Sequence, residues 1–384
     1  MMERSPLRIL HVSSGNLYGG VENTLSILSK QHHWDDRLER HFALCFTGRL
    51  SEEIEASKSR LALLGKVRVR FPWQILRARL RLRRLLRCER FDAVICHMVW
   101  NLFLFGQTVR RADLPLIFWM HDVASGDHWL ERLVRSARPD LVIVNSEFTA
   151  GTIPKLFPNP PLHRIIHPPA MPPHGRISSS EREQIRAEHG AAPHDVVIMQ
   201  VGRMEPYKGH EPHLDALGLL KKTPNWLCWI VGGAQRAHER EYVLKLQQRA
   251  AAAGIAPRIR FLGERNDVAH LLAAADIFCQ PNTRGEPFGV VFSEALYAGL
   301  PVVATAIGGA LEIVNESCGR LVPPGDAVAL ASTLSQLIDS AALRSELGEN
   351  GPARAKSLSD PDLVMTRLEA AVCEAIEIHS SAQH

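Results

Sequence analysis

Five short apolar runs set the rhythm of the first half of the chain: LRILHV from Leu7, HFALCF from His41, FDAVICH from Phe91, LPLIFWMH from Leu114 and DLVIVNS from Asp140. Each is bounded by polar or turn-forming residues and followed by a stretch with helical periodicity. Near-continuous apolar runs, rather than strict alternation, describe strands buried on both faces, and helical connections between them describe parallel pairing. A second series, DVVIMQVGR from Asp195, NWLCWIVGG from Asn225, RIRFLGE from Arg258, ADIFCQP from Ala275 and LPVVAT from Leu300, repeats the rhythm. Between the two lies IIHPPAMPPHGR, whose prolines at 168, 169, 172 and 173 forbid a helix and make an extended connector. The chain therefore reads as α/β, with two doubly wound domains at 1–170 and 171–355. The remaining residues, 356–384, contain the helical stretch LVMTRLEAAVCEAIEI, which is expected to cross back to the first domain. Ligands of such sheets sit outside the carboxyl ends of the strands.

Composition narrows the class further. The 384 residues are 46% hydrophobic and 22% charged, as in globular proteins. No apolar run is long enough to span a bilayer, and MMERSPLRILHV lacks the apolar stretch of a secretory signal, so a cytosolic protein is expected. Seven cysteines form no CxxC pair and read as reduced core thiols. His32, His33, His97 and His128 show no metal-ligand spacing, and no metal is expected; His97, ending a strand, is placed on an acceptor-facing edge. A net charge of +4 is too mild to imply nucleic acid, but its distribution is uneven.

Three segments carry chemistry. In SSGNLYGGVENTLSILSK a strand ends near Ser13 and a helix begins near Val21; Gly19 and Gly20 permit close backbone approach, and the helix N-terminus offers free N–H groups to an anion. The spacing is not GxGxxG, which weighs against a nicotinamide cofactor, and an ordinary glycine turn reads equally well. In QVGRMEPYKGHEPHLDAL, Arg203 follows a buried strand and Lys208 precedes a helix. Either cation alone would be a solvated surface residue; two at one strand end, beside a helix N-terminus, suit a diphosphate whose charge relieves their repulsion.

The third segment is GEPFGVVFSEA. Pro287 and Gly289 mark a loop entering a helix that runs through FSEALYAG to Gly299, so Glu286 precedes the helix and Glu294 lies inside it. At about 1.5 Å per helical residue the carboxylates are on the order of 10 Å apart, the span from a sugar to a ribose across a diphosphate. Taken singly, Glu286 reads as well as a helix-start charge and Glu294 as an exposed helical residue.

Together these residues resemble the family 4 retaining glycosyltransferases. The family's pair of glutamates is met by Glu286 and Glu294 with Pro287, Phe288 and Gly289 between them; its GRxxxxKG element by Gly202, Arg203, Lys208 and Gly209; its glycine loop by GNLYGGVEN; and its HD pair by His121 and Asp122. NSEFTA from Asn145 and GGALEIV from Gly308 also match, so the resemblance runs from about residue 8 to 340. HPPAMPP departs from the usual asparagine-glycine after the sixth strand.

The resemblance implies a GT-B fold, two Rossmann-like domains facing each other across a cleft. It implies a metal-independent, retaining hexosyltransferase with no cofactor. The donor would be a UDP- or GDP-linked sugar and the acceptor a saccharide or lipid-linked molecule, in cell-surface polysaccharide or glycolipid synthesis. Arg203 and Lys208 would hold the diphosphate, Glu294 the ribose and Glu286 the transferred sugar, with Phe288, Gly289 and Val290 adding backbone contacts and His121 beside the sugar. Glu286→Gln is then expected to stop transfer and leave diphosphate affinity nearly unchanged. A sugar-nucleotide epimerase and a non-catalytic sugar-nucleotide-binding module are the rival classes.

Between Arg77 and Arg90 stand seven arginines and one glutamate. As a helix, this segment puts Ile75, Leu82, Leu85 and Leu86 on one face and the arginines, with Leu76 and Leu80, on the rest. That pattern suits peripheral contact with anionic membrane on the inner face of the cell membrane, with Arg79, Arg83 and Arg87 at lipid phosphates, and equally a solvated crossover helix.

Overall fold

The computed structural model describes residues 5–15, 19–173, 175, 177–234 and 236–383. The chain divides into two compact units, Met1–Pro169 with Ser359–His384, and Ala170–Leu358.

In the first unit, seven strands form one parallel sheet: β1 (Leu7–Ser13), β2 (Leu38–Leu44), β3 (Arg60–Leu63), β4 (Ala93–His97), β5 (Leu116–Met120), β6 (Leu141–Val144) and β7 (His163–Ile165), in the order β3-β2-β1-β4-β5-β6-β7. The central strands β4 and β5 are buried at every position, as their unbroken apolar sequences AVICH and LIFWM require. One face packs Val94, Cys96 and Phe118 against Ala78 and Leu82 of the helix Pro72–Cys88 and Leu102 and Phe105 of the helix Met98–Arg110. The opposite face packs Ile95, Ile117, Trp119 and Ile143 against Val364, Met365, Leu368 and Val372 of the helix Pro361–Ser381. Each of those four side chains, fully buried, stabilises the unit by about 1.5–3 kcal/mol.

The second unit holds β8 (Val196–Val201), β9 (Trp226–Val231), β10 (Ile259–Gly263), β11 (Ile277–Gln280), β12 (Val302–Thr305) and β13 (Gly319–Val322), parallel throughout, in the order β10-β9-β8-β11-β12-β13. Met199, Trp229, Phe278 and Val302 face Phe292 and Leu296 of the helix Val290–Tyr297, and Ile198, Cys228 and Ile277 face Leu214 and Leu217 of the helix His210–Leu219.

Strand order reverses between β1 and β4 in the first sheet and between β8 and β11 in the second. Loops leaving the carboxyl ends of these neighbours run in opposite directions and open a crevice. Three strands not anticipated from sequence, β3, β7 and β13, are edge strands of three or four residues, too short for a periodic signal.

Candidate active site

At the reversal point of the second sheet, β8 continues through Gly202 and Arg203 to a single 3-10 turn, Pro206–Lys208, and the helix His210–Leu219. Its neighbour β11 continues through Pro281 to Gly289 and the helix Val290–Tyr297. The two loops touch at Gly209, which has φ +75°; a Cβ there would fall 1.7 Å from the Pro281 carbonyl oxygen, so only glycine fits. This contact brings Lys208 to Glu286. The Lys208 Nζ donates to Glu286 Oε1, with side chains 11% and 15% exposed.

Glu286 is held on both oxygens. Asn282 Nδ2 donates to Oε2 at 2.8 Å, and Gln280 Nε2 donates to Asn282 Oδ1 at 2.9 Å, which fixes the orientation of the Asn282 amide. Gln200 Nε2 donates to the Lys208 carbonyl at 2.8 Å, and its Oε1 accepts from His213 Nδ1 at 2.8 Å. Behind the loop, Gly309 N donates to the Glu286 carbonyl at 2.9 Å, and a Cβ on Gly309 would lie 2.4 Å from Phe288 Cα. The GGALEIV segment thus backs the carboxylate loop at a distance that admits no side chain.

Burial alone would lower the Lys208 pKa, but the Glu286 carboxylate, with Tyr207 and Glu205 nearby, lifts it above the ordinary lysine value. The ammonium stays charged. The pairing corrects one expectation: Arg203 and Lys208 are not two uncompensated cations. Arg203 Nη2 donates to Glu205 Oε1 at 2.6 Å, so each cation has its own carboxylate and an anion must compete for both. Gly289, at φ +95°, caps the helix Val290–Tyr297 without a side-chain acceptor, directing that helix's positive end along the loop. Phe288 and Gly289 are buried and Val290 half-buried at this end, and Glu294 is half-buried within the helix.

The first unit holds the other residues singled out from sequence. Gly19 and Gly20 are exposed at the start of the helix Gly20–Ser29; Asn16, Leu17 and Tyr18 of the same loop lie outside the described residues. His121, just beyond β5, is 5% exposed and bonded to two partners: His97 Nδ1 lies 2.9 Å from His121 Nε2, and Asn145 Nδ2 lies 3.3 Å from His121 Nδ1. His97 is fully buried, correcting its placement on an acceptor-facing edge; its Nε2 lies 2.9 Å from His11 Nδ1. Asn101 Nδ2 donates to the His97 carbonyl at 2.6 Å, closing the abrupt turn at Met98 (φ +69°). His32 and His33 pair with Asp35 and Asp362, and His128 caps its own helix. Among the described residues no three His, Cys, Asp or Glu side chains are placed to hold a metal ion.

Sequence reasoning missed Gln200, Gln280 and Asn282. The available signal was the glutamine near the end of two otherwise apolar strands, VVIMQV and IFCQ; buried amides are retained where their hydrogen bonds are met. Arg79 also differs from expectation. Its Nε and Nη2 donate to the carbonyls of Leu104 and Phe103 at 2.7 and 3.2 Å, so it faces the protein and not solvent.

Two family profiles match the chain: "Glycosyltransferase Family 4" over residues 18–169 and "Glycosyl transferases group 1" over 181–354. A phosphatidyl-myo-inositol mannosyltransferase of Mycobacterium leprae is 38% identical over 152 residues, covering 38% of each chain. The lipopolysaccharide core biosynthesis mannosyltransferase LpsB of Rhizobium meliloti is 29% identical over 249 residues, 64% of this chain and 68% of that one. The crystal structure of Anabaena Alr3699/HepE in complex with UDP superposes with a TM-score of 0.84 at 25% identity, covering 96% of this chain and 100% of that one. The first of these relatives is thus matched over well under two thirds of its length. With two parallel α/β units, the glutamate, lysine and glycine elements at the reversal point of the second, and both profiles in chain order, the protein belongs to the group 1, family 4 glycosyltransferases of GT-B fold.

Proposed function

We propose that the protein is a retaining glycosyltransferase that moves a hexose from a UDP- or GDP-linked donor to a saccharide or lipid-linked acceptor, in cell-surface polysaccharide or glycolipid synthesis, with no metal or cofactor required. The observation that carries this reading is the Lys208–Glu286 pair beside the N-terminus of the helix Val290–Tyr297. A nucleoside diphosphate placed there would meet Lys208, Arg203 and the helix N-terminus, three positive features able to offset the charge that develops as the sugar–phosphate bond breaks. Backbone N–H groups around Phe288, Gly289 and Val290 would add bonds to sugar and phosphate. Glu286, held rigid by Asn282, would accept bonds from sugar hydroxyls, and Glu294 from the ribose. The acceptor hydroxyl attacks from the face the diphosphate leaves, and a phosphate oxygen takes its proton. In the first unit, Gly19, Gly20 and His121 belong to the remaining reaction machinery.

The relatives named above include mannosyltransferases of phosphatidyl-myo-inositol and of lipopolysaccharide core, which supports a lipid-linked or saccharide acceptor. A panel of UDP- and GDP-sugars tests the assignment. Hydrolysis or transfer with retention of anomeric configuration supports it; C2 inversion identifies an epimerase, and binding without turnover a non-catalytic module.

The helix Pro72–Cys88 gives the protein a membrane-facing surface in this reading, on the cytoplasmic side. Its outward face carries Trp73, Leu76 and Leu80, each more than half exposed, in its first half, and exposed Arg83, Arg84 and Arg87 in its second. Among the described residues no helix is long and apolar enough to cross a membrane, and this helix would lie on the surface with its arginines at lipid phosphates. Flotation should carry the protein up with phosphatidylglycerol vesicles and not with phosphatidylcholine vesicles. Loss of binding is expected when Trp73, Leu76 and Leu80 become alanine or Arg83, Arg84 and Arg87 become glutamate; a wild-type protein that stays behind with anionic vesicles sinks the proposal.

A further inference from the structure

The three imidazoles of His11, His97 and His121 form a row on one face of the first sheet, at the strand ends where its order reverses. The rings stack at centroid distances of 5.2 Å for both His11–His97 and His97–His121, and Trp119 stacks on His97 and His121 at 5.3 Å. His11 and His97 are fully buried and His121 nearly so.

The polarity of this row follows from one donor. The indole Nε1–H of Trp119 can only donate, and it meets Asn145 Oδ1 at 2.9 Å. The other amide atom of Asn145, which faces His121 Nδ1 at 3.3 Å, is therefore the NH2 group, and His121 Nδ1 must accept. A neutral His121 then carries its proton on Nε2 and donates to His97 Nδ1; His97 in turn donates from Nε2 to His11 Nδ1. His11 is left with an Nε2–H that has no acceptor among the described residues.

We infer that Trp119 and Asn145 are positioning residues that lock His121, His97 and His11 into a single directed chain of Nε2–H tautomers, ending in a buried N–H donor at His11. Reversing any one ring would set two donors or two acceptors against each other, so the chain flips as a unit or not at all. Burial supports the neutral state: it drives the pKa of His11 and of His121 down to about 3 and that of His97 well below its usual value, with Arg40 adding to the effect at His11. Both ring nitrogens of His121 are committed inside the unit. If the glycosyltransferase reading holds, His121 then shapes the site as a fixed neutral ring and is not a proton carrier; the chain itself does not depend on that reading.

Long-range nitrogen–proton correlation spectra of the full-length protein labelled with 15N-histidine test the chain directly, with signals assigned through single histidine-to-glutamine variants. The expected result is three neutral Nε2–H tautomers, unchanged between pH 8 and pH 5. An Nδ1–H tautomer at His121, or titration of any of the three within that range, overturns the inference whatever the enzyme's activity. Asn145→Asp places an acceptor against His121 Nδ1 and is expected to shift all three rings to Nδ1–H. Trp119→Phe keeps the stacked ring, removes the donor and is expected to give His121 a mixture of tautomers. Spectra of either folded variant that match the wild type remove the positioning role.

Discussion

Replacing Glu286 by glutamine separates two jobs that the carboxylate does at once. In the unliganded protein it neutralises Lys208 while Asn282 holds its second oxygen. A hydrogen bond to a charged partner contributes about 1.5–3 kcal/mol, and this one is largely shielded from water. A diphosphate that recruits Lys208 competes with that bond. Glutamine keeps an acceptor oxygen but not the charge; if it retains half of the interaction, about 0.7–1.5 kcal/mol becomes available to the ligand, roughly three- to tenfold in affinity. Glu286→Gln should therefore tighten UDP or GDP binding, measured by isothermal titration calorimetry at fixed ionic strength, while abolishing donor turnover. This revises the expectation, drawn from sequence, that affinity would be nearly unchanged. Unchanged or weaker binding of the nucleotide that the wild type prefers would show that Lys208 need not leave Glu286, and the competition argument would fail.

Arg203→Ala should weaken nucleoside diphosphate binding about tenfold, the worth of one charge-assisted contact, in the same titration; equal affinities would remove Arg203 from the site. Gly209→Ala should lower stability by at least about 2 kcal/mol, since it combines a left-handed conformation with a clash against Pro281, and an unshifted thermal melt would contradict the described contact. Acid should destabilise both units: His11, His121 and His213 have folded pKa values near 3 and His210 near 4, all through burial, so the unfolded chain binds more protons below its own histidine pKa of about 6.5. Stability is full above that pH and falls by about 1.4 kcal/mol per pH unit per histidine down to the folded values; equal urea midpoints at pH 7 and pH 5 would refute it.

Much of the fold was legible because burial on both faces leaves an unmistakable mark. The ten apolar runs read from sequence coincide with ten of the thirteen strands among the described residues, and the doubly wound order follows from helical connections. The unread strands carry no such mark: RLAL and HRI lie at opposite edges of the first sheet and GRLV at one edge of the second. At the site, the charged residues were found because a carboxylate or ammonium beside an apolar run stands out. Their pairing was not, because Lys208 and Glu286 are 78 positions apart and meet only through the close approach at Gly209. Likewise Arg79 and Arg83 are indistinguishable as letters; the position of the Leu104 carbonyl separates them.

The first unit is built from two separate lengths of chain, and that has a consequence for how the protein comes to exist. The helix Pro361–Ser381, which covers Ile95, Ile117, Trp119 and Ile143, is synthesised after all of Ala170–Leu358. Until that helix has left the ribosome, one side of the earliest sheet has no lid, and a strip of large apolar side chains waits in water while the second unit is made. Nascent chains in that state are candidates for chaperone capture and aggregation. A polypeptide ending at Leu358 would stay there permanently, which makes arrival of the helix Pro361–Ser381 the step that commits the first-made half to its native state.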